Sequence, residues 1–420
     1  MIIDWFVLLR NIGFTFATLM LVKYYIFLII SPFYPLKEKF RKIKVIRKHA
    51  CKKFEPLVSI IIPAWNEEIG VVKSVKSLLN STYDKFEIIL VNDGSTDSTE
   101  NVCNSFIKLQ SKDDQNKIIY SYKQNGGKGS ALNHGILKSS GEIIVTMDAD
   151  SVFDKYALEN LVEYFKDPKI NAVVGNVKVS NNNTLIGYLQ QLEYLFGFYY
   201  KRTHAVLDAE YIFGGACAAF RRENTFDKYG LFDTENKTED IEMSMRLKYN
   251  GVNSTYAENV ICYTEGASNI YGLVNQRLRW KKGRFDTFIK YRRMFFSLDK
   301  RHNKFLSFFI LPFSLLAEIQ LFFEPIALTL LVTYSIISGD YLSLALGNLF
   351  VFVIYLVNAF FSHSKFNIKL VFNFFFSWSL FYILVWIEYL ALVKSLQMII
   401  RGEDVEWQNW QRVGVSEVIL

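Results

Sequence analysis

Apolar positions along this chain fall into three regimes. From Trp5 to Ile30 they run almost unbroken, interrupted by Arg10 and Lys23, and the stretch is long enough to cross a bilayer as one helix. From Leu57 they break into short runs separated by polar stretches. Val58-Ser59-Ile60-Ile61-Ile62, closed by Pro63, reads as a buried strand, and Phe86–Val91, Lys117–Tyr122 and Glu142–Met147 read likewise. Helix-period stretches lie between them, roughly Glu67–Leu79, Thr99–Leu109 and Lys128–Ser139. This alternation predicts an α/β domain, a mostly parallel sheet with helices on both faces.

Asn181–Asn183 reads as a loop and Ile186–Val206 as an aromatic-rich helix. Ile270–Arg293 mixes cations with Leu, Trp, Phe and Tyr, the pattern of a helix lying in a membrane interface. Phe305–Ile337 is too long for one simple span and holds Pro312, Glu318, Glu324 and Pro325. It predicts a broken or interfacial part, then a span near Ile319–Ile337, with further spans at Tyr341–Phe361 and Val371–Gln397. Glu318, Glu324 and Glu388, at membrane depth, should face protein or a wet cavity. Three spans would put Trp407 and Trp410 on the outer side; a re-entrant segment within Phe305–Ile337 would reverse that. The expected organisation is an N-terminal span (1–32), a basic juxtamembrane segment (33–56), a cytoplasmic catalytic domain (57–265), interfacial helices (266–304), a membrane region of about three spans (305–400) and a tail (401–420).

Composition supports this division. Hydrophobic residues make up 51% of the 420 positions and Phe alone numbers 37, which excludes a disordered chain and argues against a plain soluble domain. The net charge of +7 is concentrated between Lys37 and Lys53, where only Glu38 opposes the cations. An apolar span immediately precedes this run, so it reads as a cytoplasmic juxtamembrane segment favouring anionic lipid, and a nucleic-acid partner is not expected. A cleaved signal peptide fits less well: the segment is long, Asp4 precedes it and no small-residue cleavage site follows. Cys51, Cys103, Cys217 and Cys262 lack metal-ligand or redox spacing and read as reduced thiols.

Candidate chemistry gathers at strand ends, where ligands bind in such sheets. Asn66-Glu67, Asp93 and Asp148-Ala149-Asp150 each follow a predicted strand. A lone Asp-Gly at 93–94 would only be a turn, with Thr96 or Ser98 capping the next helix. Several acidic sites at neighbouring strand ends point instead to a nucleotide and a divalent cation, Mg²⁺ or Mn²⁺, which take oxygen ligands and share them with phosphates. Gly126-Gly127-Lys128-Gly129 opens a helix without P-loop spacing; free backbone N–H groups and Lys128 could receive a diphosphate, or the stretch is a flexible turn. Thr238-Glu239-Asp240 opens another helix. The helix dipole favours acids there and Thr238 would cap it, while the functional reading makes Asp240 the base for an attacking hydroxyl. In Gln276-Arg277-Leu278-Arg279-Trp280, Gln276 and Arg279 share a helix face and Trp280 lies beside Gln276. A cation there can neutralise a leaving diphosphate and an indole can stack on a sugar.

Together Asp93, Asp148/Asp150, Glu239-Asp240 and Gln276/Arg279/Trp280 resemble the D, D-x-D, T/G-E-D and Q-x-x-R-W pattern of processive family 2 glycosyltransferases, the membrane polysaccharide synthases. The resemblance runs from about Trp5 to Ile400 and is closest to poly-N-acetylglucosamine synthase-like enzymes, which often carry two N-terminal spans where one is visible here. It implies a GT-A fold embedded between transmembrane and interfacial helices, and inverting transfer from a UDP-sugar, UDP-N-acetylglucosamine first, to a growing polysaccharide coupled to export. It implies donor contacts by Ala64, Glu67, Asp93 and Asp148, and diphosphate contacts by Lys128 and Arg279. Asp150 would take the metal, Gln276 and Trp280 the acceptor, and Asp240 with Glu239 the catalysis. Hyaluronan or β-glucan synthase-like enzymes, an enzyme adding one sugar to a lipid acceptor, and an inactive UDP-binding membrane scaffold are the alternatives. Membrane lipids and a small membrane partner subunit are the further partners considered.

Overall fold

The computed structural model describes residues 25–49, 54–180, 184–342, 368–403 and 414–415, with single positions at 345, 349, 353 and 356. The four apolar runs are strands β1 (Val58–Ala64), β2 (Phe86–Asp93), β3 (Ile118–Lys123) and β4 (Ile143–Thr146). They are joined by β5 (Ser151–Phe153), β6 (Ala172–Val179), β7 (Ala218–Arg221) and β8 (Ser254–Thr264). One eight-stranded sheet results, in the order β3-β2-β1-β4-β7-β6-β8-β5. β1 pairs in parallel with β2 and β4, and β2 with β3, as the alternating pattern predicts. The rest is mixed: β7 runs antiparallel to β4 and β6, β5 antiparallel to β8, and β6 parallel to β8. The mostly parallel expectation therefore holds for one half of the sheet only. β5 and β7 are too short for a two-residue period to announce them.

The helices used below are α1 (Tyr34–His49), α2 (Val71–Leu79), α3 (Thr99–Leu109), α4 (Lys128–Lys138), α5 (Ala157–Phe165), α6 (Leu185–Val206), α7 (Glu239–Tyr249), α8 (Ile270–Lys290), α9 (Leu311–Gln320), α10 (Glu324–Ser338) and α11 (Ile368–Arg401). Both faces of the sheet are covered, which is why its strands are apolar without alternation. Val58, Ile60, Ile62, Ile88 and Leu90 pack with α2, α3 and α5 on one face. Ile61, Ile89 and Val91 pack with α4 and with Met243 and Leu247 of α7 on the other. The strand ends at Ala64 and Asp93, and the turn after β4, are thus fixed by a core on each side.

The basic run after Phe33 is a helix, α1, docked on the domain by one side. Tyr34 Oη donates to the Tyr256 carbonyl (3.0 Å), Lys37 Nζ donates to the Ala205 carbonyl (2.6 Å), and Arg41 stacks 4.0 Å from the Tyr164 ring centre. Its other side exposes Leu36, Phe40 and Ile43, with Phe33 exposed just ahead of it. Just ahead of it, residues 25–30 are helical, and Phe27 packs with Tyr211, Phe288 and Leu306. The remainder of the Trp5–Ile30 segment, Asn181–Asn183, Cys51 and most of Tyr341–Phe361 lie outside the described residues.

Leu306–Ile310 form one π-helical turn running into α9, and α9 and α10 are bent by 53° about residues 321–323. The region is broken as expected, but the second helix begins at Glu324-Pro325 rather than near Ile319, because Pro suits a first helical turn and not an interior. Among the described residues Ile383–Arg401 of α11 is long and apolar enough to cross a bilayer, and α9 with α10 reach that standard only as a bent pair. Glu318 and Glu388 face protein, as expected. Trp407 and Trp410 lie outside the described residues; beyond them the Gly414 amide donates to Glu265 Oε2 (3.0 Å) and Lys73 Nζ donates to the Val415 carbonyl (3.0 Å), so the chain meets the α/β domain there.

Candidate active site

A cavity of about 610 Å³ lies over the carboxyl ends of β1, β2 and β4 and is closed by α6 and α8. Ala64, Glu67, Asp93, Lys128, Asp148, Asp150, Asp240, Gln276, Arg279 and Trp280 all line it. Glu239 does not; it is buried behind the wall, 3.4 Å from Lys128 Nζ. Residues scattered over more than two hundred positions thus converge on one space.

The strand-end loops are stitched to one another. The Asn66 amide donates to Ser95 Oγ (3.0 Å), Asn66 Oδ1 accepts from the Thr96 amide (2.8 Å), and the Glu67 amide donates to Thr99 Oγ1 (2.9 Å). These bonds hold Asn66 in the left-handed region, at φ 55°. Asp93 is 3% exposed, and its carboxylate accepts from Lys123 Nζ (2.6 Å) and from the amides of Gly126 (3.1 Å) and Gly127 (2.8 Å). The Gly126-Gly127 amides are therefore not free for a diphosphate, which corrects the expectation for this stretch. They are spent on Asp93, and Gly127 adopts φ 84° to present its amide at the start of α4.

Lys128, the first residue of α4, carries the ammonium of the site between two acidic motifs. Its Nζ lies 2.5 Å from Asp148 Oδ1 and 3.4 Å from Glu239 Oε1. Burial alone would lower its pKa, but Asp148, Glu239 and Asp240 outweigh burial and hold it well above the usual lysine range. Burial raises the Glu239 carboxyl above the ordinary carboxylate range, with Lys128 opposing the rise.

Asp240 Oδ2 accepts from the Gly215 amide (3.0 Å) and Oδ1 from the Ile241 amide (2.8 Å), which aims the carboxylate into the cavity beside Gly214 and Gly215. Thr238 does not cap α7. Its hydroxyl donates to Asn236 Oδ1 (3.1 Å), and its side chain instead forms the seat of Gly283 on α8. A Cβ at Gly283 would sit 2.1 Å from Thr238 Oγ1, so this glycine lets α8 close on the turn carrying Glu239 and Asp240. On α8, Arg277 lies 4.4 Å from the Trp280 ring centre, and Gln276 is buried with its Oε1 lacking a hydrogen-bond donor among the described residues.

Asp150 Oδ1 accepts from Ser151 Oγ (3.2 Å) and Thr264 Oγ1 (3.3 Å). Among the described residues no three His, Cys, Asp or Glu side chains gather as a metal cage. Two carboxylates on the wall of a cavity suit Mg²⁺ or Mn²⁺ that completes its shell from phosphate oxygens and water, so the donor set fits such an ion bound together with substrate.

Sequence reasoning missed one wall of the cavity. Glu193, Tyr194, Gly197, Phe198, Lys201 and His204 of α6 line it along a single helix face. Their spacing of one, four, five, eight and eleven residues was the available signal, but the helix is aromatic on several sides and the face does not stand out.

Residues 59–226 match the profile of Glycosyl transferase family 2, and residues 143–400 that of Glycosyl transferase family group 2. The chain is 32% identical over 290 residues to the poly-beta-1,6-N-acetyl-D-glucosamine synthase of Staphylococcus epidermidis, 68% of either chain. It is 31% identical over 265 residues to the enzyme of that name from Staphylococcus aureus strain COL, 62% of this chain and 61% of the relative's length. Among solved structures, the mannosyltransferase PcManGT from Pyrobaculum calidifontis, in complex with GDP-Man and Mn2+, superposes with a TM-score of 0.56. The superposition covers 91% of this chain and 99% of that one at 19% identity, a likeness of fold.

Proposed function

The chain belongs to glycosyl transferase family 2, and from that premise we propose that it transfers N-acetylglucosamine from UDP-N-acetylglucosamine to a growing polysaccharide at the cytoplasmic face of a membrane, with inversion at the anomeric carbon. One observation carries the reading: every residue assigned to donor, acceptor, metal or base lines a single cavity or, for Glu239, backs it. The names of the two staphylococcal relatives supply the choice of sugar.

In this reading the acceptor hydroxyl attacks the anomeric carbon, the bond from that carbon to the diphosphate breaks, and UDP departs with the electron pair. Asp240 takes the hydroxyl proton; the Gly215 and Ile241 amides hold its carboxylate in place. Lys128 and Arg279 neutralise charge building on the leaving diphosphate, a contribution larger in a water-poor cavity than in solution. Glu239 keeps Lys128 charged and directed. Asp150 with Asp148 would hold Mg²⁺ or Mn²⁺, which supplies further positive charge to the diphosphate. Trp280 offers a flat apolar face to the terminal sugar, and the unpartnered Oε1 of Gln276 accepts from one of its hydroxyls. The exposed Leu36, Phe40 and Ile43 of α1, with Phe33 just before it and Lys39, Lys44 and Arg47 on the same short helix, suit contact with an anionic leaflet.

The test is turnover of a panel of UDP-sugars by membranes containing the protein, with Mg²⁺ or Mn²⁺, sizing the products. A ladder or high-mass polymer from UDP-N-acetylglucosamine alone is expected. One small lipid-extractable product would replace polymerisation with single addition, and a polymer from another donor would replace the sugar.

A further inference from the structure

Six charged side chains that the mechanism leaves unused form one connected cluster beside the acceptor platform, two of them, Glu193 and Arg284, reaching the cavity wall. Arg277 pairs with Glu193 Oε2 of α6 (2.5 Å) and Glu388 Oε1 of α11 (3.1 Å). Lys281 pairs with Glu388 Oε2 (2.8 Å) and Glu318 Oε2 of α9 (2.7 Å), and Arg284 pairs with Glu318 Oε1 (2.9 Å). Three cations of α8 thus meet three carboxylates, each from a different helix. Arg277 is 4% exposed and faces the Trp280 ring at 4.4 Å. Apolar contacts bring the same helices together: Leu384 and Ile387 of α11 pack with Leu273 of α8 and Leu189 of α6, and Ala391 packs with Leu278.

From this we propose that Glu388, on the apolar C-terminal helix, is a positioning residue for the acceptor: it holds Arg277 and Lys281 so that the indole of Trp280 stays in register with the cavity. The inference rests on the assignment of Trp280 to the acceptor. Two features make Glu388 the determinant. It is the one carboxylate of the three that grips cations on both sides of Trp280 in sequence. It also comes from a helix that packs on α6 as well as α8, but both of its ion pairs among the described residues are to α8, so its charge acts on the reaction through that helix. Buried charges left without a partner are costly, whereas here each cation keeps a second carboxylate when Glu388 is neutralised, Arg277 keeping Glu193 and Lys281 keeping Glu318. Glu388→Gln therefore loosens the platform without orphaning a charge.

The experiment compares wild type, Glu388→Gln and Glu388→Asp in membranes or detergent, with three readouts: UDP binding, release of UDP by transfer to water, and elongation of an N-acetylglucosamine oligosaccharide at varied acceptor concentration. Glu388→Gln is expected to keep UDP binding and transfer to water within roughly twofold and to raise the acceptor KM by about tenfold, with Glu388→Asp between. The shift should vanish in a Trp280→Ala background, because the effect travels through the indole. An unchanged acceptor KM overturns the proposal, as does an equal loss in transfer to water and in elongation, which would mark a merely structural role. If Glu388→Gln no longer binds UDP, Glu388→Asp, which keeps the charge, is read instead, with a smaller rise in acceptor KM expected and its absence overturning the proposal. Failure of wild type to elongate the oligosaccharide while transferring to water would overturn the polysaccharide reading itself, and is seen before any variant is compared.

Discussion

Gly283→Ala tests how closely α8 and the Glu239-Asp240 turn must approach. The added Cβ would lie 2.1 Å from Thr238 Oγ1, 2.5 Å from its Cγ2 and 2.8 Å from its Cβ. Rotating Thr238 exchanges one branch for the other and leaves the third contact, so the side chain cannot step aside. Ordinary contact begins at 3.4 Å, so the helix and the turn must separate by about 1 Å. Overpacking of this kind costs about 1–3 kcal/mol, and replacing a mid-helix glycine by alanine returns about 1 kcal/mol, so the fold should survive. The chemistry should not: a displacement of about 1 Å between Asp240 and the sugar held on α8 costs on the order of 100-fold in rate, or about 2.7 kcal/mol of barrier. The assay is initial rate of product formation from labelled UDP-N-acetylglucosamine alongside UDP affinity, which should fall far less than the rate, because Arg279 moves with α8 while Asp93, Lys128 and Asp148 stay on the other wall. Adding Thr238→Ala removes two of the three clashing atoms and should recover part of the rate. Gly283→Ala with a rate within twofold of wild type, at normal expression, would refute the reasoning.

Other outcomes follow from the site and its frame. Asp240→Asn should abolish transfer while keeping UDP-sugar binding, checked by product formation against donor affinity; retained turnover removes Asp240 as the base. Asp150→Ala should weaken donor binding in the presence of Mn²⁺ by more than it does without the ion, and equal affinities in the two conditions would leave the acidic pair only a turn. Glu210→Gln addresses stability. Burial would raise the Glu210 carboxyl, but Lys201 Nζ at 2.7 Å and His204 overcome it and bring the pKa down to about 2 from 4.5. A carboxylate whose folded pKa is depressed contributes stability that is complete above pH 4.5 and is lost as pH falls from there towards 2. The variant should lose about 3 kcal/mol at pH 7 and show a flatter fall of thermal stability across that acid window; matching acid profiles would sink the assignment.

The acidic motifs were legible because strand periodicity located the ends of β1, β2 and β4, and a sheet of this kind presents its strand ends on one side. The partner of each motif was not. Lys128 reads as a diphosphate ligand from its glycine-rich setting, yet its contacts to Asp148 and Glu239 depend on how α4 and α7 stack on one face of the sheet. Asp93 reads as a nucleotide contact, and nothing local announces that its oxygens hold the Gly126 and Gly127 amides. In the mixed half of the sheet β5 has three residues and β7 four, too short to show a period, whereas β6 and β8, with eight and eleven, were long enough to read and were missed. Glu318 and Glu388 face protein, one of the two environments expected for them, but which cation meets Glu388 is set by the crossing of α8 and α11, more than a hundred residues apart in sequence.

The return of the chain at Gly414 fixes a parity. The backbone leaves the catalytic domain at the end of α8 and rejoins it where Gly414 meets Glu265 and Val415 meets Lys73. If the chain crosses a bilayer between those two points, the number of crossings is even. A reporter fused after Leu420 should accordingly report the compartment of the catalytic domain, and a signal from the opposite compartment would refute the return.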